Sequence, residues 1–216
     1  MNGVNDNMEN VIISYFKVES EAFQALSELK NSSTFDDRFT LSQVALLKNS
    51  NGQIIMKDGF DTGKRTQNDT WKGGLIGTLV GVLGGPLGML LGFGIGSVVG
   101  LAKDAGEAKE ESSLISAITS RMKEGDVAIV AVAQELSEEP FNLVAEKFDA
   151  VTVRYSASDI QEEVEHAQTV ERNLQERAKE EMRQERSEQR RETVNEYRSK
   201  FKEEFEELKK RFSSTD

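Results

Sequence analysis

The chain has 216 residues, of which 37% are hydrophobic and 30% charged, with a net charge of −11 and no cysteine. The length fits one domain of common size plus extensions. The acidity disfavours a nucleic-acid partner, and the lack of cysteine excludes disulfides, thiol catalysis and cysteine-ligated metal.

In chain order, the first ten residues carry Asp6 and Glu9 but no Lys or Arg. No secretory signal is expected there, and residues 1–10 are read as a disordered N-terminus. The first α/β half is placed at residues 11–60. Val11-Ile12-Ile13-Ser14-Tyr15-Phe16 is β-branched and aromatic and predicts a buried strand. Ser20 is placed as a helix cap, followed by Ala22, Phe23, Leu26 and Leu29 at helical spacing. Val44-Ala45-Leu46-Leu47 predicts a second strand, Asn51-Gly52 a hairpin turn, and Gln53-Ile54-Ile55-Met56 the returning strand.

Residues 70–102 differ from everything around them, because no charged side chain occurs between Lys72 and Lys103. Gly73, Gly77, Gly81 and Gly85 fall at four-residue intervals, and so do Gly88, Gly92, Gly96 and Gly100. Residues four apart share one helix face, so each set predicts a groove free of side chains into which another helix packs closely. Glycine is a poor helix former in water, by roughly 1 kcal/mol per residue relative to Ala. The segment must therefore be held by packing, by lipid, or by both.

As one helix it would be roughly 45 Å long against a hydrocarbon core of ~30 Å. It would also part the two α/β halves. A hairpin turning at Gly84, Gly85 and Pro86 keeps them together. Each arm is then roughly 18–20 Å, too short for a full span, so the expected membrane contact is shallow or re-entrant. Trp71, Lys72 and Lys103 are placed as interface anchors, with basic flanks on the cytoplasmic side. The alternative is an oligomer in which the hairpins bury one another.

The second α/β half is placed at residues 103–156. Leu114, Ile115, Ile118 and Met122 predict a short helix ending at Gly125. Val127 to Val132 reads as a strand, Pro140 to Phe148 as a helix and Val151 to Tyr155 as a last strand. Strand–helix–strand occurring twice predicts an α+β, ferredoxin-like split βαβ sandwich, with the glycine hairpin inserted between the halves.

Residues 158–213 are mostly Glu, Arg, Lys and Gln, without Gly or Pro. Ser158 with Gln161 suggests a capping box opening one long helix, or two with a weak middle. One apolar stripe comprises Ile160, Val164, Ala167, Val170, Leu174, Ala178 and Met182. A second comprises Val194, Tyr197, Phe201, Phe205, Leu208 and Phe212. Such stripes form a coiled coil with another subunit or pack back on the body; the other reading is a free, charge-stabilised helix.

Candidate chemistry is thin. Gly59-Phe60-Asp61-Thr62-Gly63-Lys64-Arg65 has one residue too few between its glycines for a phosphate loop, and Arg where Ser or Thr would hold magnesium. Gly94-Ile95-Gly96 is followed by Val99 where a dinucleotide fingerprint needs glycine. His166 is the only histidine and is read as a surface residue. Asp36-Asp37, and Asp61 with Asp69, are read as solvated carboxylates. No catalytic, cofactor-binding or metal-ligating residue is assigned, and no enzyme activity is expected.

The order of motifs resembles the bacterial family known as domain of unknown function 1269. The resemblance rests on Ser42-Gln43-Val44-Ala45-Leu46-Leu47-Lys48 with Asn51-Gly52, and on Lys72-Gly73-Gly74-Leu75-Ile76-Gly77. It is carried further by Gly84-Gly85-Pro86, by Gly92-Phe93-Gly94-Ile95-Gly96, and by the strand and helix after Gly125-Asp126. It spans roughly residues 11–155 and leaves out the charged tail. It implies a membrane protein without an assigned activity. The combined expectation is a non-enzymatic protein at the cytoplasmic face of the membrane, with lipid and a second copy as partners and other proteins recruited through the C-terminal helix. The alternative is a soluble, self-assembling scaffold or stress-related protein in the cytoplasm.

Overall fold

The computed structural model describes residues 8–31, 38–63, 74–88, 113–182 and 189–213. Five strands form one antiparallel sheet: β1 (Met8–Phe16), β2 (Phe39–Ser50), β3 (Gln53–Asp61), β4 (Val127–Glu135) and β5 (Val151–Ser156). Their order is β3-β2-β4-β1-β5. β4 lies between β1 and β2, with Ile12 opposite Ala131 on one side and Val44 opposite Ala131 on the other.

The central strands dictate how the sheet is covered. Val127 to Ala133 is apolar at every position and fully buried. Side chains alternate between the faces of a strand, so an unbroken apolar run needs cover on both. On one face Ile12, Leu46, Ile129 and Ala131 meet α1 (Glu19–Asn31) and α5 (Glu139–Ala145). Each of these helices carries the chain past one strand, α1 from β1 to β2 and α5 from β4 to β5. On the other face Val11, Ile13, Ala45, Leu47, Ala128 and Val130 meet a different set. It consists of α2 (Leu75–Gly84), α3 (Pro86–Gly88), α4 (Leu114–Arg121) and α6 (Ala157–Met182). A last helix, α7 (Gln189–Ser213), inserts Phe201 into the same cluster.

Several boundaries differ from expectation. β1 begins at Met8, inside the stretch expected to be disordered, because it pairs with β4 as far as Glu135. β2 and β3 run well beyond Val44–Leu47 and Gln53–Met56, and Gly59, Phe60 and Asp61 of the rejected phosphate-loop motif are ladder residues opposite Ala45, Val44 and Gln43. Phe23 is more than a third exposed, whereas Ala25 is inside, so α1 presents a slightly rotated face. α6 starts at Ala157, directly after β5. Ser158 is therefore in its first turn, and its hydroxyl pairs with that of Ser156 instead of forming a capping box with Gln161.

The charged tail is two helices and is not a free rod. Ile160, Val164, Ala167 and Val170 of α6 lie in the core against the sheet. α7 packs on α6, where Phe201 and Glu204 line a small cavity with His166, Ala167 and Val170. The Asn51-Gly52 turn has positive φ at both residues, as a two-residue hairpin requires. Both of its amides donate to the Glu124 carboxylate, at 3.0 and 3.1 Å, which ties the hairpin to the loop before β4.

Candidate functional site

The glycine arm has two sides with opposite surroundings. Ile76, Leu79 and Val82, with Leu83, recur at helical spacing and are buried against the sheet, and Leu87 of α3 continues the row. The apolar residues of this arm thus face protein. Gly77 and Gly81 are exposed on the opposite side, and among the described residues nothing lies within 4 Å of a Cβ built on either.

The two ends of α2 are fixed by close backbone contacts. At the start, Gly74 has φ +75°, which disfavours a side chain, and a Cβ there would displace the Gln43 amide packed against it. Gln43 also accepts the Ile76 amide at 3.4 Å. At the other end α2 stops at Gly84 and α3 starts at Pro86, with Gly85 in extended conformation between them. A Cβ on Gly84 would lie 2.8 Å from the Ile54 carbonyl of β3, and one on Gly85 would lie 2.8 Å from the Gly81 carbonyl. A Cβ on Gly88 would overlap the backbone of Leu83. Gly84, Gly85 and Gly88 are therefore required by the break itself, whereas Gly77 and Gly81 form the outward stripe. Trp71, Lys72, Gly73, Gly92, Gly96, Gly100 and Lys103 lie outside the described residues, as does the returning arm.

The most unusual side chain is Glu163 of α6, which is 1% exposed. One carboxylate oxygen accepts the Leu114 amide at 3.0 Å; the other accepts the Ile115 amide at 3.1 Å and the Ser113 hydroxyl. The Ser113 side chain in turn accepts the Ser116 amide at 3.1 Å. The first turn of α4 is thus capped twice, by its own serine and by a carboxylate from another helix, which satisfies amides that a helix leaves open. Burial pushes the Glu163 carboxyl up to about 7, while Ser113 and the two amides pull it down. About two turns further along, Glu171 lies against Gly85 and accepts from Gln175 at 3.2 Å. Partial burial raises its carboxyl too.

On the other side of the sheet, Glu135 is buried at the end of β4. The Arg154 guanidinium reaches its two oxygens at 2.9 and 3.2 Å, and the Asn10 amide donates at 2.9 Å. Arg154 also donates to Asn142 at 2.8 Å, pairs with Glu138 and stands over the Phe141 ring. This fork clasps edge strand β5 to β4 and α5.

The remaining candidates do not converge on a site. Asp61 accepts from Gln43 and from the Gly63 amide, at a turn. Asp36, Asp37 and Asp69 lie outside the described residues. His166 stands half-buried beside Phe201. Among the described residues no group of three or more His, Asp and Glu could hold a metal ion, and no helix is long and apolar enough to cross a membrane.

Glu163 and the Glu135–Arg154 fork were not singled out from sequence. A signal for Glu163 was present: it sits three residues after Ile160 and four before Ala167, in the middle of an apolar stripe. Comparison with protein-family models, curated proteins and solved structures gives no match to this chain.

Proposed function

We propose that the chain is a non-enzymatic, membrane-associated protein whose first glycine arm is a fixed wall of the body and whose lipid contact is made through residues 89–102. The observation that carries this reading is the two-sidedness of α2. Its apolar side chains are buried on the sheet, its glycines face outward, and the charge-free sequence continues past Gly88 to Ala102. The basic residues flanking residues 70–102 support a cytoplasmic-face location. The body is read as ferredoxin-like. The strand order β5-β1-β4-β2, with α1 and α5 on one face, supports that reading, and β3 is then an added edge strand. The resemblance to the domain of unknown function 1269 family rests on the motifs quoted above.

Liposome flotation of the full chain and of a 89–102 deletion tests the proposal. The full chain is expected to float with anionic vesicles and the deletion to remain at the bottom. Flotation of both alike overturns it.

The second reading, a self-assembling scaffold, draws on the burial of Ile76, Leu79, Val82 and Leu83, which leaves α2 only the partly buried Leu75 and Val80 to offer lipid. It expects no flotation, and a defined oligomer that the Gly81→Leu/Gly92→Leu variant dissociates. A monomeric wild type excludes it.

A further inference from the structure

Two carboxylates of α6 stand against the elements that cover this face of the sheet: Glu171 lies against Gly85, between α2 and α3, and Glu163 holds the first turn of α4. Glu163 is sealed from water and has no cationic partner among the described residues; its contacts are one hydroxyl and two amides. We propose that Glu163 is a proton-operated latch on the first turn of α4. Protonated, it stays sealed between α6 and α4. Ionised, it draws water into that junction and frees the first turn of α4. The proposal is independent of lipid binding.

A carboxylate in a dry site without a cation carries a desolvation penalty that hydrogen-bond donors only partly offset. The helix N-terminus favours the anion, since the open amides point at it, but burial outweighs this and raises the carboxyl to about 7. Few other titratable groups face the site. α2 and α3 have none, and α4 has only Arg121 in its last position, over the Tyr15 ring. The sheet contributes Tyr15 and Tyr155. α6 itself contributes Asp159, Glu162 and His166, and α7 contributes Glu204 beside His166. Among the described residues none of them bonds to Glu163.

The direction follows from linkage. In the sealed state the carboxyl titrates at about 7, above the 4.5 it has in water. The advantage of the sealed state is therefore fully present below pH 4.5 and is lost as pH rises through about 7. The sealed-to-open ratio falls about tenfold between about pH 6 and pH 8, and roughly 300-fold over the whole window.

Hydrogen exchange of the full chain tests this. The α4 amides are followed from about pH 5.5 to about pH 8.5 and referred at each pH to those of β4, which removes the intrinsic base catalysis of exchange. In wild type, relative protection of α4 is expected to fall about tenfold between about pH 6 and pH 8 and to level off above about pH 7. Glu163→Gln is neutral and nearly isosteric, and is expected to show no pH dependence. Ser113→Ala removes a hydroxyl that lowers the carboxyl, so the pH at which protection levels off is expected to move up. Loss of a merely structural cap would instead lower protection equally at every pH. A flat wild type, a pH-dependent Gln variant or an unmoved levelling-off pH in Ser113→Ala overturns the latch. Should the Gln variant not fold, the carboxyl carbon resonance of Glu163 in wild type decides: titration near pH 7 supports the latch, and no titration across that range overturns it.

Discussion

Two carboxylates are buried among the described residues, one on each side of the sheet, and opposite devices hold them. Glu135, on the α1/α5 side, faces a guanidinium fork and an asparagine amide. Glu163, on the α2/α4/α6 side, faces only a hydroxyl and two helix amides among the described residues. A paired charge of this kind is fixed by its partner and serves geometry, holding β5 and α5 in register. A charge held by dipoles alone remains open to protonation near neutral pH. The side of the sheet next to the charge-free insert is thus the side with a proton-sensitive contact.

The sharpest break in this comparison is removal of the cation. Arg154→Ala leaves Glu135 buried without its partner, and is expected to cost about 3–5 kcal/mol in urea unfolding. Glu135→Gln/Arg154→Met removes both charges and is expected to recover most of that loss. A single variant within about 0.5 kcal/mol of wild type would mean that Glu135 finds water, and the contrast with Glu163 would collapse.

Next comes the status of α2 as core. Leu79→Ala is expected to cost about 2–5 kcal/mol, as much as Leu26→Ala on the opposite face, because both side chains are buried against the sheet. If α2 served only as a membrane arm, Leu79→Ala would leave the unfolding curve in solution unchanged, while Leu26→Ala would still shift it.

The pH response is the third. The folded-state value of about 7 for Glu163 lies above the ordinary 4.5, so its contribution is complete below pH 4.5 and disappears as pH rises through about 7. The whole swing amounts to about 3 kcal/mol. Glu163→Gln is expected to flatten that part of the stability profile, seen as a smaller change in urea midpoint between about pH 5 and pH 8 than in wild type.

The contrast between the two faces also shows what sequence makes legible. Alternation and helical spacing placed all five strands, α1, α4 and α5, since Val11–Phe16, Val127–Val132 and Val151–Tyr155 each carry a local pattern. The turn at Asn51-Gly52 was equally local. What covers the second face was not, although the unbroken run Val127–Ala133 demanded cover. Glycine spacing and missing charge read the same whether a helix lies in lipid or against a sheet, because both surroundings are apolar. The tail had a matching ambiguity: Ile160, Val164 and Ala167 suit a coiled coil and a sheet face alike. Glu163 was hidden by the charge around it, in a helix where one more glutamate attracts no notice, and the Arg154–Glu135 fork joins residues that only the fold brings together.

The smallest effect separates two kinds of glycine within one row. Gly77→Ala and Gly81→Ala add a methyl where none of the described residues stands, in the middle of a helix that glycine weakens. Each is expected to stabilise the chain by about 0.5–1 kcal/mol, partly by restricting the unfolded state. Gly88→Ala is expected to have the opposite sign, since its Cβ would overlap the Leu83 backbone and α3 must shift to admit it. Calorimetry at two protein concentrations makes the difference informative. If Gly81→Ala raises the melting temperature equally at both, the stripe faces solvent. If it lowers the melting temperature, and more so when dilute, the stripe is the contact surface between copies and the scaffold reading replaces the membrane one. A decrease independent of concentration places the returning arm of the same chain on the stripe, as close packing across glycines requires.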